Sequence, residues 1–172
     1  MGIIALSYLG VNSEKLDDWT DFAVRKIGMQ KLDKSKKSLT FRMDSQKQRF
    51  SVTGEKGDNL CFLGWEVEKS DDLDYYASKL EKNKFKVFIG DHSLADKRFV
   101  EKLIFFYDPS GNRIELSFNP YKTDEEFKPG RPISGFKTGV CGLGHAVLHT
   151  NNLKKQVIFY RDVLEFNVSD YS

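Results

Sequence analysis

The chain has 172 residues, 40% of them hydrophobic and 13% aromatic, enough to bury a core and to exclude a disordered chain. Its net charge is +2, from 27 basic and 25 acidic residues spread along the sequence, so no electrostatic case for nucleic acid exists. Ile3 to Val11 is apolar but lacks a basic segment before it and a cleavage site after it, and it is too short for a bilayer; the expectation is a cytoplasmic chain with no membrane association. Cys61 and Cys141 lie in apolar, strand-like runs, where buried free thiols are expected rather than a disulfide or a metal pair. The short basic run Lys34, Lys36, Lys37 reads as a solvated loop.

Three segments share one plan, an apolar strand followed by a cap and an amphipathic helix: Ile3 to Gly28, Leu60 to Phe85 and Val140 to Phe166. In the first, Asn12 or Ser13 can cap a helix whose inner face is Leu16, Trp19, Ala23 and Ile27, with Gly28 as its stop. In the second, Ser70 is the expected cap, Asp71 and Asp72 suit the first turn, and Leu73, Tyr76, Ala77 and Leu80 face inward. In the third, Asn151 or Asn152 caps, with Leu153, Val157, Tyr160 and Leu164 inward. A gap-free alignment makes Leu16, Leu73 and Leu153 equivalent, and likewise Tyr8, Trp65 and His145.

Between the helices, Ser38–Met43 and Gln48–Thr53 read as a hairpin, and Lys86–Ile89 and Val100–Tyr107 as further strands. Asp108-Pro109-Ser110-Gly111-Asn112 is a turn. Arg113 to Phe118 then alternates strictly, with Glu115 on the face opposite Ile114 and Leu116. Each of the first two segments is thus strand, helix and about three strands. Asn119 to Thr138 holds three prolines, two glycines and the acidic stretch Asp124-Glu125-Glu126, and reads as a linker.

Paired βαβββ units resemble the vicinal oxygen chelate superfamily, an α+β fold in which two units curve around a cup. Phe106 to Leu116, with Asp108-Pro109-Ser110-Gly111-Asn112 and Glu115, resembles that superfamily's final-strand signature. Arg131 to His145, above all Gly142-Leu143-Gly144-His145, resembles the domain junction of type I extradiol dioxygenases, especially the dihydroxybiphenyl-cleaving kind. The resemblance implies residues 1–119 as a non-catalytic domain of two units, 120–138 as linker, and 139–172 as the first strand and helix of a truncated catalytic domain. It also implies an activity of aromatic catabolism: a small aromatic diol such as 2,3-dihydroxybiphenyl, chelated to non-heme Fe(II), is cleaved by O2.

By the same resemblance His145 is the first of three metal ligands, the other two lying outside these 172 residues, so that no catalytic site is complete and no metal is expected to be held tightly. At the corresponding positions of the first domain stand Tyr8, Trp65 and Glu115; only Glu115 suits a metal, and a hydrogen-bonded or salt-bridged carboxylate inside the sheet, with Arg113 as candidate partner, is its expected fate. His149 lies about 13 Å from His145 along a strand, too far to share an ion, and His92 is expected in an exposed loop. The apolar face of the third segment, lacking most of its domain, is expected to drive self-association, and hence a homo-oligomer. The competing class is a stand-alone member of the superfamily, either a small-molecule-binding resistance-type protein or an isomerase or lyase, which needs neither the linker nor Gly142 to His145.

Overall fold

The computed structural model describes residues 2–35 and 37–170. Eight strands form one sheet in the order β2-β3-β4-β1-β5-β8-β7-β6. Unit one is β1 (Ile3–Asn12), α1 (Leu16–Asp21, continued by a π-helical turn Phe22–Ile27), β2 (Gln30–Ser35), β3 (Ser38–Arg42) and β4 (Phe50–Thr53). Unit two is β5 (Asn59–Val67), α2 (Ser70–Lys82), β6 (Phe88–Ile89), α3 (His92–Arg98), β7 (Val100–Tyr107) and β8 (Arg113–Pro120). In each unit the first strand pairs in parallel with the last, and β1 joins β5 antiparallel at the centre. The order therefore reads the same outward from the β1–β5 seam, as a pseudo-twofold requires, and the expected α+β fold of paired βαβββ modules is the one found. No helix among the described residues is long and apolar enough to cross a membrane.

Three apolar clusters hold the sheet. Trp19, Ala23 and Ile27 of the first helix pack with Leu39, Phe41 and Val52. Leu73, Tyr76 and Leu80 of α2 pack with Leu63, Ile104, Ile114 and Leu116. On the other face Tyr8, Phe62, Ala95 and Leu103 pack together. Gly28 ends the first helix at φ 101° and donates to Ala23 O, a left-handed stop that glycine adopts without a Cβ penalty.

Several local expectations need correction. The first helix has Lys15 as its N-cap, and Ser13 Oγ accepts from Lys15 N rather than capping the helix itself. Ser70 is the first helical residue of α2, where Asp72 reaches back to accept from Lys69 N; this helix starts three residues before Leu73, so Leu73 does not open it as Leu16 and Leu153 open theirs. Two elements were not expected. β2 is a polar edge strand, and α3 begins at His92, capped by Asp91 accepting from Leu94 N. Lys37 is exposed, while Lys36 and the Lys34 side chain lie outside the described residues.

The third segment differs most. Residues 140–150 form no strand; their pairing is one bridge, Gly142 to Leu6, with Leu143 N donating to Leu6 O at 2.8 Å. A strand needs a neighbour along its length to pair its backbone groups, and this segment meets one only at its start. Cys141 is accordingly an exposed free thiol, not a buried one, while Cys61 on β5 is half-buried. The helix that follows, α4 (Leu153–Ile158, continued by a π-helical turn Phe159–Val163), does find cover. Phe159, Val163 and Leu164 are buried in the α2 cluster, with Phe159 against Phe85 and Phe106. Glu165 accepts from Tyr75, Tyr76 and Lys79 of α2. The first two units thus cover Phe159, Val163 and Leu164 of this helix, whereas Leu153, expected to face inward, is exposed, as are Val140 and Val147.

Candidate functional site

The gap-free alignment predicts Tyr8, Trp65 and Glu115 on one face. The structure brings Tyr8 and Glu115 together and puts Trp65 on the other side. β1 carries register shifts against β5 at three places, including between Leu6 and Tyr8. Each added residue turns the following side chains to the opposite face. Gly64, not Trp65, is the cross-strand partner of both Tyr8 and Glu115. A Cβ on Gly64 would sit 2.1 Å from the Tyr8 ring, so the missing side chain is what admits that ring. Trp65 instead packs beside Phe166 in the α2 cluster, at 4.7 Å between ring centres.

Glu115 is wholly buried and fully engaged. Its Oε1 accepts from Arg98 Nη2 at 3.0 Å and Arg113 Nε at 2.9 Å; its Oε2 accepts from Arg98 Nε at 2.8 Å and Tyr8 Oη at 3.0 Å. The paired Arg98 bonds are the planar fork-to-carboxylate geometry. Each guanidinium also lies on a ring, Arg98 3.5 Å from the Phe62 centre and Arg113 3.8 Å from that of Phe105. Burial, followed by the negative charge of Glu115, pushes the Tyr8 phenol well above its ordinary range, so it is a neutral donor. Burial likewise raises the Cys61 thiol, which makes it a poor nucleophile.

Arg98 is the residue that sequence reasoning missed, because the loop expected around His92 is the first turn of the helix that carries it. The signal lay in Asp91, an N-cap residue followed by Leu94 and Ala95 at helical spacing. Arg113 was foreseen as a partner and is one.

These residues do not fit a metal ion. All four close approaches to Glu115 come from donors, and two of the donor groups are cations that would repel a metal. No group of three or more His, Cys, Asp or Glu able to hold a metal occurs among the described residues. His145 is exposed in the segment between Gly142 and Thr150, and so is His149; His92 is exposed at the start of α3. The structure brings none of the three into a cluster with the others.

The segment carrying His145 is nevertheless fixed at both ends. Gly142 sits so close to β1 that a Cβ there would lie 2.2 Å from Leu6 O. Beyond it, Thr150 Oγ1 lies 2.8 Å from Ser110 Oγ. A cavity of 410 Å³ opens beside the first end, between Ala5, Trp65, Tyr76, Leu143 and Phe166.

Comparison with known proteins agrees with this architecture. Residues 6–54 match the family model described as dihydroxybiphenyl dioxygenase BphC D1. Over 171 residues the chain is 37% identical to the biphenyl-2,3-diol 1,2-dioxygenase of Paraburkholderia xenovorans (strain LB400), covering 99% of this chain and 57% of that one. It is 34% identical to the 3-methylcatechol 2,3-dioxygenase of Pseudomonas putida, covering 99% of this chain and 59% of that one. Among solved structures, BphC, a halotolerant catechol dioxygenase, superimposes with a TM-score of 0.93 at 30% identity over 96% of this chain and 56% of that one. A Mn(II)-bound glyoxalase from Novosphingobium aromaticivorans shares the fold at a TM-score of 0.77 and 17% identity, over 99% of this chain and 55% of that one. The chain spans about half the length of the curated relatives it matches. By its paired βαβββ sheet and by these matches, the chain is similar over nearly all of its length to biphenyl-2,3-diol and catechol dioxygenases, each matched over somewhat more than half of its own length.

Proposed function

We propose that this chain is part of a cytoplasmic ring-cleaving dioxygenase that takes a small aromatic diol, such as 2,3-dihydroxybiphenyl, and O2. The observation that carries the proposal is the identity of 37% across 99% of the chain to a protein named biphenyl-2,3-diol 1,2-dioxygenase. Its metal is taken as non-heme Fe(II), of which this chain supplies one ligand, His145. Residues 1–119 are the non-catalytic domain, 120–138 the linker, and 139–172 the opening of the catalytic domain. One feature supports the role of His145: its segment is anchored on both sides, at Leu6 and at Ser110.

A single imidazole binds a divalent ion weakly, so the 172-residue chain by itself is expected to show no ring cleavage. In any longer form carrying two further ligands, His145→Ala is expected to remove the iron and reduce activity by at least about a thousandfold, equivalent to roughly 4 kcal/mol. The assay is oxygen-dependent formation of the yellow ring-opened product from 2,3-dihydroxybiphenyl, alongside iron content. Yellow product from the 172-residue chain alone, or full iron and activity after His145→Ala, would contradict the proposal.

A further inference from the structure

We infer that the turn Asp108 to Asn112 is a latch between the first two units and the third, and that Asp108 is a positioning residue for the helix that follows His145. Asp108 is buried, 4% exposed, and its two oxygens have separate tasks. Oδ1 accepts from Ser110 N and Asn112 N, both at 2.9 Å, and so closes the turn. Oδ2 accepts from the Asn112 amide at 2.8 Å, from Gln156 Nε2 and from Tyr160 Oη at 3.2 Å. The last two belong to α4 and its π-helical extension, 48 and 52 residues away in sequence. All five donors are neutral.

Closing a turn of this kind takes one side-chain acceptor, which asparagine supplies as well as aspartate. The second oxygen, buried without a cation, is accounted for by what it does across the interface. Ser110 extends the same grip: its hydroxyl meets Thr150 Oγ1 at 2.8 Å and Gln156 Oε1 at 3.1 Å. Thr150 Oγ1 in turn accepts from Asn152 N, and Asn152 caps α4. The latch therefore fixes the start of the helix and the end of the segment that carries His145, while Leu6 fixes the other end. Its consequence for metal binding rests on the ligand reading of His145 given above; the latch itself does not.

The test is backbone hydrogen exchange in the 172-residue chain. Asp108→Asn keeps an oxygen for the turn and turns a donor toward Gln156 and Tyr160. Exchange in α4 is expected to rise roughly tenfold or more, the loss expected for hydrogen bonds to a buried charge, while β7 and β8 keep their protection. Adding Gln156→Glu reverses donor and acceptor across the same contact and is expected to restore α4. Equal loosening of β7, β8 and α4 would reduce Asp108 to a turn residue and overturn the inference, as would an unchanged α4 or a swap that restores nothing. Should Asp108→Asn fail to fold, Gln156→Leu reads the contact from the other side, with the same pattern expected and the same contrary outcomes. Loss of the ligand reading would appear elsewhere, as iron and activity indifferent to His145→Ala in a longer form carrying two further ligands, with α4 exchange unmoved.

Discussion

Replacing Glu115 by alanine is expected to destabilise the chain by about 3–5 kcal/mol, the range for removing one partner of a buried charge pair. Glu115 is the carboxylate that bridges Arg98 and Arg113, whose side chains are 13% and 22% exposed. Without it two guanidinium groups face each other on the inner side of the sheet, and the Tyr8 hydroxyl loses its acceptor in a site where the ring is wholly buried. Stacking on Phe62 and Phe105 retains part of the packing, which argues for the lower half of the range. Urea unfolding of Glu115→Ala against the parent chain measures the loss. A change below about 1 kcal/mol, the worth of an exposed pair, would show that the network adds nothing beyond surface charge.

Phe159→Ala carries the second large effect, confined to the third segment. The ring is 1% exposed and sits among Phe85, Phe106 and Tyr160. A buried aromatic of roughly 150–250 Å² corresponds to roughly 4–6 kcal/mol at about 25 cal/mol per Å², close to the about 3–5 kcal/mol measured for such truncations. That is enough to undock the helix while leaving the sheet intact. Tryptic cleavage after Lys154, Lys155 or Arg161 is expected to accelerate at least about a hundredfold, since roughly 1.4 kcal/mol corresponds to tenfold. Cleavage at the parent rate would mean that the helix is held by its polar contacts alone.

The sequence made the βαβββ plan legible because its signals are local. Helix periodicity at Trp19, Ala23 and Ile27, the turn at Asp108 to Asn112 and the alternation from Arg113 to Phe118 each depend on a few neighbouring residues. The position of Glu115 on the inner face followed from that alternation, and so did its partner Arg113. Trp65 was misplaced because the β1 register shifts leave no mark in the composition of the strand: counting residues back from a helix fails as soon as a strand carries an extra one. β2 escaped notice because Gln30-Lys31-Leu32-Asp33-Lys34-Ser35 is polar, as an outermost strand tends to be. Val140 to Thr150 has the apolar content of a strand and still is not one, since pairing depends on what lies alongside. The same non-locality hid the cover over Phe159 and Leu164, supplied by residues from Leu73 to Leu116.

The first two units keep a carboxylate–arginine network around Glu115, whose neighbours are donors and cations and leave no place for a metal ion. Iron content after anaerobic loading and desalting tests this most directly, measured on the 172-residue chain and on its Glu115→Gln and His145→Ala variants. The predicted result is no stoichiometric iron on any of the three. Stoichiometric iron that survives His145→Ala and is lost with Glu115→Gln would contradict the account and return the metal to the first two units.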